Sequence, residues 1–246
     1  RPRRPHGELV RAAVVALILS AQIAVGQDQQ ADGLVVSKSQ IVISSQVSAP
    51  ITEMPVRNGQ AFLAGEVLVR FDCAILEAQR DAQAERQIAA ALNAASLERL
   101  NRSGAAGRTE TLLAQSEAKV AAAEFRAITA QLKGCVITAP FKGRMVETFV
   151  STFENVGETQ ELIEIVDDQN LEIELIVPSN WLQWLSAGTG FDFRVFETGD
   201  VRPAELTRIG AIVDPVSRTA KVFARFDDLP GGVLAGMTGT AMFPQN

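Results

Sequence analysis

Cys73 and Cys135 are the only cysteines of this chain, and His6 is its only histidine. Imidazole is the base of most nucleophilic triads and a common ligand of catalytic zinc and haem iron. His6 lies in a basic leader described below, so a processed chain holds no imidazole. That removes Ser-His-Asp and Cys-His catalysis and every imidazole-dependent metal site. A pair of carboxylates is what stays open to chemistry. Glu172 and Glu174 stand two residues apart in an alternating stretch, on one strand face and about 6.5–7 Å apart by strand rise. Two carboxyl groups so placed are the equipment of a glycoside hydrolase or of a hard-cation site. Acids at alternate strand positions usually serve solvation, however. The reading is of a protein that is not an enzyme, with no catalytic residue, cofactor or metal ligand assigned.

The leader holds Arg1, Arg3, Arg4 and Arg11, followed by the apolar run AAVVALILSAQIAVG at residues 12–26. A basic start, a short apolar stretch and small closing residues make a signal peptide cleaved before Gln27; an uncleaved N-terminal membrane anchor is the other reading. Both place the chain from Gln27 onward outside the cytoplasm. The formal charge of the 246 residues is −6; the leader removes four Arg and Glu8, a net +3, so −6 − 3 leaves −9. An acidic exported chain without basic runs excludes nucleic-acid binding. With 47% hydrophobic and 21% charged residues it is not a disordered chain either.

The elements that position these residues begin with a repeat. Residues 41–72 and 135–167 are both rich in Val, Ile and Phe and punctuated by Pro and Gly, the texture of short strands and tight turns. Ala49-Pro50 answers to Ala139-Pro140, an offset of 140 − 50 = 90, and Gly65-Glu66 to Gly157-Glu158, an offset of 157 − 65 = 92. Each copy ends in an apolar strand closed by an acid, VLVRFD at 67–72 and LIEIVD at 162–167. A lobe of roughly 30 residues buries too little alone, so the copies are expected to pack on each other.

Between the copies, residues 73–133 contain no Pro, and Gly only at Gly104 and Gly107. Ala, Glu, Gln, Arg and Leu dominate, the strong helix formers. Leu113, Ser116, Val120, Ala123, Ala127 and Ala130 alternate spacings of three and four, a coiled-coil seam. Ile75, Ala78, Ala82, Ala89, Leu92 and Ser96 offer the matching seam of the first arm, with Glu77, Arg80, Asp81 and Gln87 on polar faces opposite. Asp72 and Thr109 are read as caps of the two arms and Gly134 as the stop of the second. The result is a projecting antiparallel hairpin with its tip at residues 101–108. Cys73 and Cys135 have their midpoint at (73 + 135)/2 = 104, so the hairpin folds them opposite each other at its base. Outside the cytoplasm that predicts a Cys73–Cys135 disulfide; two small buried residues that never bond is the alternative. At the tip, Leu100, Asn101, Arg102, Gly104, Gly107 and Arg108 are the partner-docking candidates, with a plain solvated turn as the bland reading.

The rest of the chain alternates. Leu171, Ile173, Leu175 and Val177 face away from Glu172 and Glu174, and the same period runs through 191–195 and 220–226. Several such segments make a small antiparallel barrel or sandwich. Trp181 and Trp184 lie on a short helix after Pro178, placed to plug the barrel end or to offer stacking surfaces.

A strand-rich half, a helical hairpin, a second half and a small barrel, in that order, resemble the periplasmic adaptor (membrane fusion, HlyD-like) proteins of tripartite efflux and type I secretion systems. The segment CVITAPFKGRMV at 135–146 is similar to the family's re-entry motif after the hairpin, and GAIVDPVSRT at 210–219 with LAGM at 234–237 resemble its barrel signatures. The resemblance spans about residues 33–243. It implies a mainly β chain in which a biotinyl/lipoyl-like domain is interrupted by a coiled-coil hairpin and followed by a β-barrel. The implied bounds are 1–26 for the signal or anchor, 33–72 with 134–167 for the lipoyl-like domain, 73–133 for the hairpin and 168–246 for the barrel. It further implies a non-catalytic adaptor in the periplasm, associated with the inner membrane and homo-oligomeric in its assembly. Its partners would be an inner-membrane transporter of the resistance-nodulation-division or ABC type and an outer-membrane duct. Against the family's duct-docking pattern, Arg-x3-Leu-x6-Ser, the tip keeps Leu100 but has Ser96 and Gly107 at the other two places. The chain stops just past Phe243, so the membrane-proximal domain of resistance-nodulation-division adaptors is not expected. Two other readings stand beside this one. An exported ligand- or glycan-binding module would use the barrel with its tryptophans. A lipoyl or biotinyl carrier would need a modifiable Lys on a tight turn between the lobes, where this chain inserts 61 helical residues (73–133).

Overall fold

The structure, a computed structural model, describes residues 29–228 and 231–244. The signal peptide or anchor read at residues 1–26 lies outside the described residues. Strand β1 (Gln29–Ser37) is followed by β2 (Gln40–Ser44), β3 (Ala49–Glu53), β4 (Ala61–Phe62) and β5 (Val67–Phe71). Two long helices come next, α1 (Ala74–Arg102) and α2 (Arg108–Leu132). The chain returns through β6 (Val136–Thr138), β7 (Gly143–Thr148), β8 (Asn155–Val156) and β9 (Glu161–Val166). It ends in β10 (Leu171–Pro178), β11 (Gly190–Val195), β12 (Val201–Asp214), β13 (Thr219–Phe226) and β14 (Thr238–Phe243). The protein is mostly β with a helical hairpin and a closed six-stranded barrel.

The barrel closes in the order β1-β10-β13-β12-β11-β14. Its core is the inward half of each alternating strand: Ile173, Leu175 and Val177 of β10, Phe193 of β11, Val222 and Ala224 of β13, all without exposed surface. Residues 33–37, which the family resemblance placed in the lipoyl-like domain, belong to the barrel instead. β1 pairs with β10 on one side and β14 on the other and turns Ala31 and Val35 inward, so that without it the barrel would stand open. Gly33 and Gly239 face each other across β1 and β14, and a Cβ on either would strike the Phe193 ring. The glycine pair makes the space that the aromatic side chain fills.

The repeat forms two four-stranded sheets, β2-β9-β7-β4 and β6-β5-β3-β8, around a core of Ile51, Phe62, Leu68, Met145, Leu162 and Ile163. Its offset is neither 90 nor 92. Ala49 pairs with Val156 and Phe62 with Gly143, so the two copies exchange equivalent pairings at 143 − 49 = 94 and 156 − 62 = 94. The dipeptides that suggested the smaller offsets fail because Ala139-Pro140 lies in a loop while Ala49-Pro50 is strand. Backbone geometry is what repeats. Gln60 closes its turn by accepting the Arg57 amide at 3.2 Å, as Glu154 accepts that of Ser151 at 2.9 Å. Gly65 at φ +81 has its equivalent in Thr159 at φ +67, since 159 − 65 = 94.

Candidate functional site

The hairpin is the feature that the rest of the fold positions. Its 29 and 25 residues reach roughly 43 and 37 Å at 1.5 Å per residue. The caps differ from those expected. Cys73 is the N-cap residue of α1, and Asp72 Oδ1, one residue upstream, accepts the Ala74 amide at 3.1 Å. Thr109 is inside α2, whose N-cap is Gly107; the Thr111 hydroxyl donates to the Gly107 carbonyl at 3.0 Å. Gly134 lies beyond α2, inside the 3-10 turn Lys133–Cys135. It is pressed against Gln46 and Val47, where a Cβ does not fit.

The seam between the helices is displaced from the one the spacing predicts. The buried positions of α2 are Thr111, Ala114, Ala121 and Ile128, with Ala118, Phe125 and Leu132 half-buried between and after them. On α1 Ala94 is buried, and Leu76, Arg80, Gln83, Ala84, Gln87, Ala90, Ser96 and Leu97 are half-buried, so that of the expected α1 seam Ser96 alone lies on this side. Gln87, expected on a polar outer face, is half-buried at the seam, while Arg80 keeps 40% of its side chain exposed and pairs with Asp81 at 2.7 Å. Leu113, Ser116, Val120, Ala123, Ala127 and Ala130 all face solvent, Val120 at 55% exposure, as do Ile75, Ala78, Ala82, Ala89 and Leu92. The phase is set at the root, where Leu76 and Leu132 pack into the sheet core. An Ala-rich helix carries two stripes of equal spacing, and the root decides which one turns inward. The hairpin thus keeps a second, unpartnered stripe on each arm.

At that root Cys73 and Cys135 are joined in a disulfide, with Cα atoms 6.1 Å apart and both residues buried. At the tip, Gly104 takes φ +79, and the Ala105 amide donates to the Leu100 carbonyl at 2.8 Å. Leu100, Arg102, Gly104, Gly107 and Arg108 all stand at the surface, Gly107 being also the N-cap of α2. Asn101 is turned inward: its Nδ2 donates to the Ala106 carbonyl at 3.0 Å and holds the turn.

The barrel carboxylates do not form a reactive pair. Glu172, with only 6% of its side chain exposed, takes a two-pronged hydrogen bond from Arg208, Nη2 donating to Oε2 at 2.8 Å. That bond holds the Arg208 pKa above its ordinary value, and the guanidinium lies 3.9 Å from the centre of the Phe223 ring. Glu174 pairs with Lys221 instead. Each acid faces its own cation, so the two are not free to share a sugar or a metal. Among the described residues, no three His, Cys, Asp or Glu side chains are grouped to hold a metal ion. Trp181 and Trp184 pack edge-on against Phe243 at 5.7 Å, at the end of the barrel core. Among the described residues no helix is long and apolar enough to cross a membrane.

No family model matches the chain. The nodulation protein NolF of Rhizobium meliloti (strain 1021) is 29% identical over 210 residues, 79% of this chain and 57% of that protein. The chain spans about half the length of the curated relatives it matches, 57% and 54%. Among solved structures, the membrane fusion protein Spr0693 from Streptococcus pneumoniae R6 superposes with a TM-score of 0.71 at 17% identity, covering 88% of this chain and 99% of that one. The periplasmic adaptor protein EmrA gives 0.53 at 14% identity, over 89% and 99%. The fold is that of the membrane fusion and periplasmic adaptor proteins, and the resemblance drawn from the order of elements is borne out at that level.

Proposed function

We propose that this chain is a non-catalytic periplasmic adaptor for efflux or secretion, associated with the inner membrane. Strands β2–β5 and β6–β9 are its lipoyl-like domain, the hairpin its coiled-coil arm, and β1 with β10–β14 the barrel. The observation that carries the reading is the second stripe of the hairpin. A helical pair that served only its own fold would leave a polar outer surface, whereas here Leu113, Val120 and Leu92 are spaced for a further helix and exposed. Several copies standing side by side cover those stripes and wall a conduit, with the barrel and lipoyl-like domain toward an inner-membrane transporter of the resistance-nodulation-division or ABC type. The tip residues Leu100, Arg102, Gly104 and Arg108 point toward an outer partner such as an outer-membrane duct. A ligand-binding barrel is disfavoured because the barrel interior is filled and its tryptophans pack on Phe243. The test is co-purification from solubilised envelope: the adaptor brings down an inner-membrane transporter, and a chain recovered without one defeats the reading. An in-register deletion of residues 103–106 is expected to leave the folded protein intact and stop transport.

A further inference from the structure

Phe153 is held in a conformation that its side chain opposes. Its φ is +71, in the left-handed region that suits glycine, and it is 84% exposed. The equivalent residue of the other copy, 94 positions earlier, is Gly59 at φ +78. The turn is rigid: the Phe153 amide donates to the Ile51 carbonyl at 2.8 Å, and the Ile51 amide donates to the Glu154 carbonyl at 2.9 Å. A solvent-exposed ring on a strained backbone gives a monomer no packing in return, and strain of this kind concentrates at working surfaces.

A groove lies at the same level of the molecule. Ile51 pairs with Phe71, two residues before Cys73. The groove, a cavity of about 300 Å³, runs between the first residues of β3 and the root of α1, walled by Val47, Pro50, Cys73, Ile75 and Leu76. It admits a phenyl ring, and in its own chain Phe153 is not in it. Its outer wall, Ile75, is itself 76% exposed.

We propose that Phe153 is the anchor by which one copy of this chain docks into the hairpin root of a second copy. The inference rests on the adaptor reading, in which copies stand side by side, and it names where they lock. One ring buries only about 150–250 Å², far short of the roughly 1,200–2,000 Å² of a stable interface. The remainder is at hand, because Ile75 is also the first residue of the free stripe that continues along α1 through Ala78, Ala82 and Leu92. Groove and stripe meet at Ile75, and beside its apolar residues the groove is lined by Gln46, Gln79, Gln131 and the carboxylates Asp72 and Glu158. The backbone that carries the ring is already held by its hydrogen bonds with Ile51, so docking has only the side chain to order.

The experiment uses the full chain with Phe153→p-benzoylphenylalanine, mixing isotopically heavy and light copies before irradiation. Heavy–light links from position 153 to residues 46–50 or 72–79 are expected; links confined to one chain, or landing elsewhere, overturn the proposal. The same photoreactive group at Val120 reports hairpin packing separately. Links at Val120 without links at 153 overturn the anchor while leaving side-by-side copies standing, and no links at either position overturn both. In parallel, Phe153→Gly, which relieves the strain, is expected to keep or raise Tm while weakening self-association at least tenfold in sedimentation. Unchanged association in that variant overturns the anchor.

Discussion

Gly59 and Phe153 occupy one position in two copies of the same turn, at φ +78 and φ +71. A Cβ at Gly59 meets nothing within 4 Å, so the two sites differ in side chain and not in crowding. The left-handed region costs a residue with a Cβ roughly 1–2 kcal/mol, against roughly 0.5–1 kcal/mol of extra chain entropy that glycine loses on folding. Gly59→Ala is therefore expected to destabilise by about 0.5–1 kcal/mol, and Phe153→Gly to stabilise by about as much. Opposite shifts of the denaturant midpoint at unchanged slope are the readout; shifts of the same sign would contradict the equivalence.

The two stripes of the hairpin separate in the same way. Ile128 is 8% exposed at the inner seam and Val120 is 55% exposed on the outer one. Ile128→Ala is expected to cost about 2–3 kcal/mol of stability, and Val120→Ser to stay within about 0.5 kcal/mol. In self-association the order reverses, with Val120→Ser the damaging change. Thermal unfolding and sedimentation on the same two variants check both halves of this statement.

Gln83 lies on the inner seam of α1, and its Oε1 is buried without a hydrogen-bond partner. An unsatisfied buried acceptor costs roughly 1–3 kcal/mol. Gln83→Leu removes it and adds apolar surface between the helices, so the variant is expected to be more stable by about 1 kcal/mol. A lower midpoint would show that Gln83 finds a partner in solution.

What could be read in the sequence and what could not divide along a physical line. The barrel strands were legible because alternation is local: Ile173, Leu175 and Val177 announce an inward face within one strand. That β1 closes the barrel was not, since its evidence is the meeting of Gly33 with Gly239, residues 206 positions apart (239 − 33). The hairpin was legible from its composition. Its phase was hidden because alanine fills both stripes, and Leu76 and Leu132 choose between them only once the sheet core exists to receive them. The repeat was visible and its offset misread, because turns conserve hydrogen bonds and φ while the residues change. Phe153 left one signal, an aromatic residue in the otherwise polar turn STFEN at 151–155, where the first copy has Asn58-Gly59.

Acid sensitivity is expected to come from two carboxylates of the barrel domain. The Thr238 amide donates to Glu197 Oε1 at 3.0 Å, and this backbone bond lowers the Glu197 pKa from its ordinary 4.5. The Ser217 amide, then that of Val216, does the same for Asp214, whose ordinary value is 3.8. A carboxylate with a lowered folded-state pKa contributes stability that is fully present above its unfolded value and fades as pH falls through the folded one. Stability should hold above the ordinary values and decline below them. Glu197→Gln and Asp214→Asn should each flatten that decline, in a series of urea midpoints against pH. An unchanged acid limb in both variants would place the titrating groups elsewhere.

The hinge of the hairpin is the last point open to a direct measurement. Cys73 and Cys135 are separated by 62 residues and bonded where α1 leaves β5 and where α2 returns to β6. Opening a loop of that length restores about 4 kcal/mol of chain entropy to the unfolded state in the loop-closure model. Replacing both residues by Ser is therefore expected to lower stability by up to about 4 kcal/mol. The barrel keeps its own core (Ile173, Leu175, Phe193, Val222) far from the bond in sequence, so the loss should concentrate in the hairpin root. Amide exchange reports this by position: protection should fall at residues 74–80 and 128–135 in the double variant and stay unchanged in β10 and β13. The intact protein, purified without reductant, should show no titratable thiol under denaturing conditions. Two free thiols there, or equal loss of protection across the barrel, would mean that the bond does not hold the hinge.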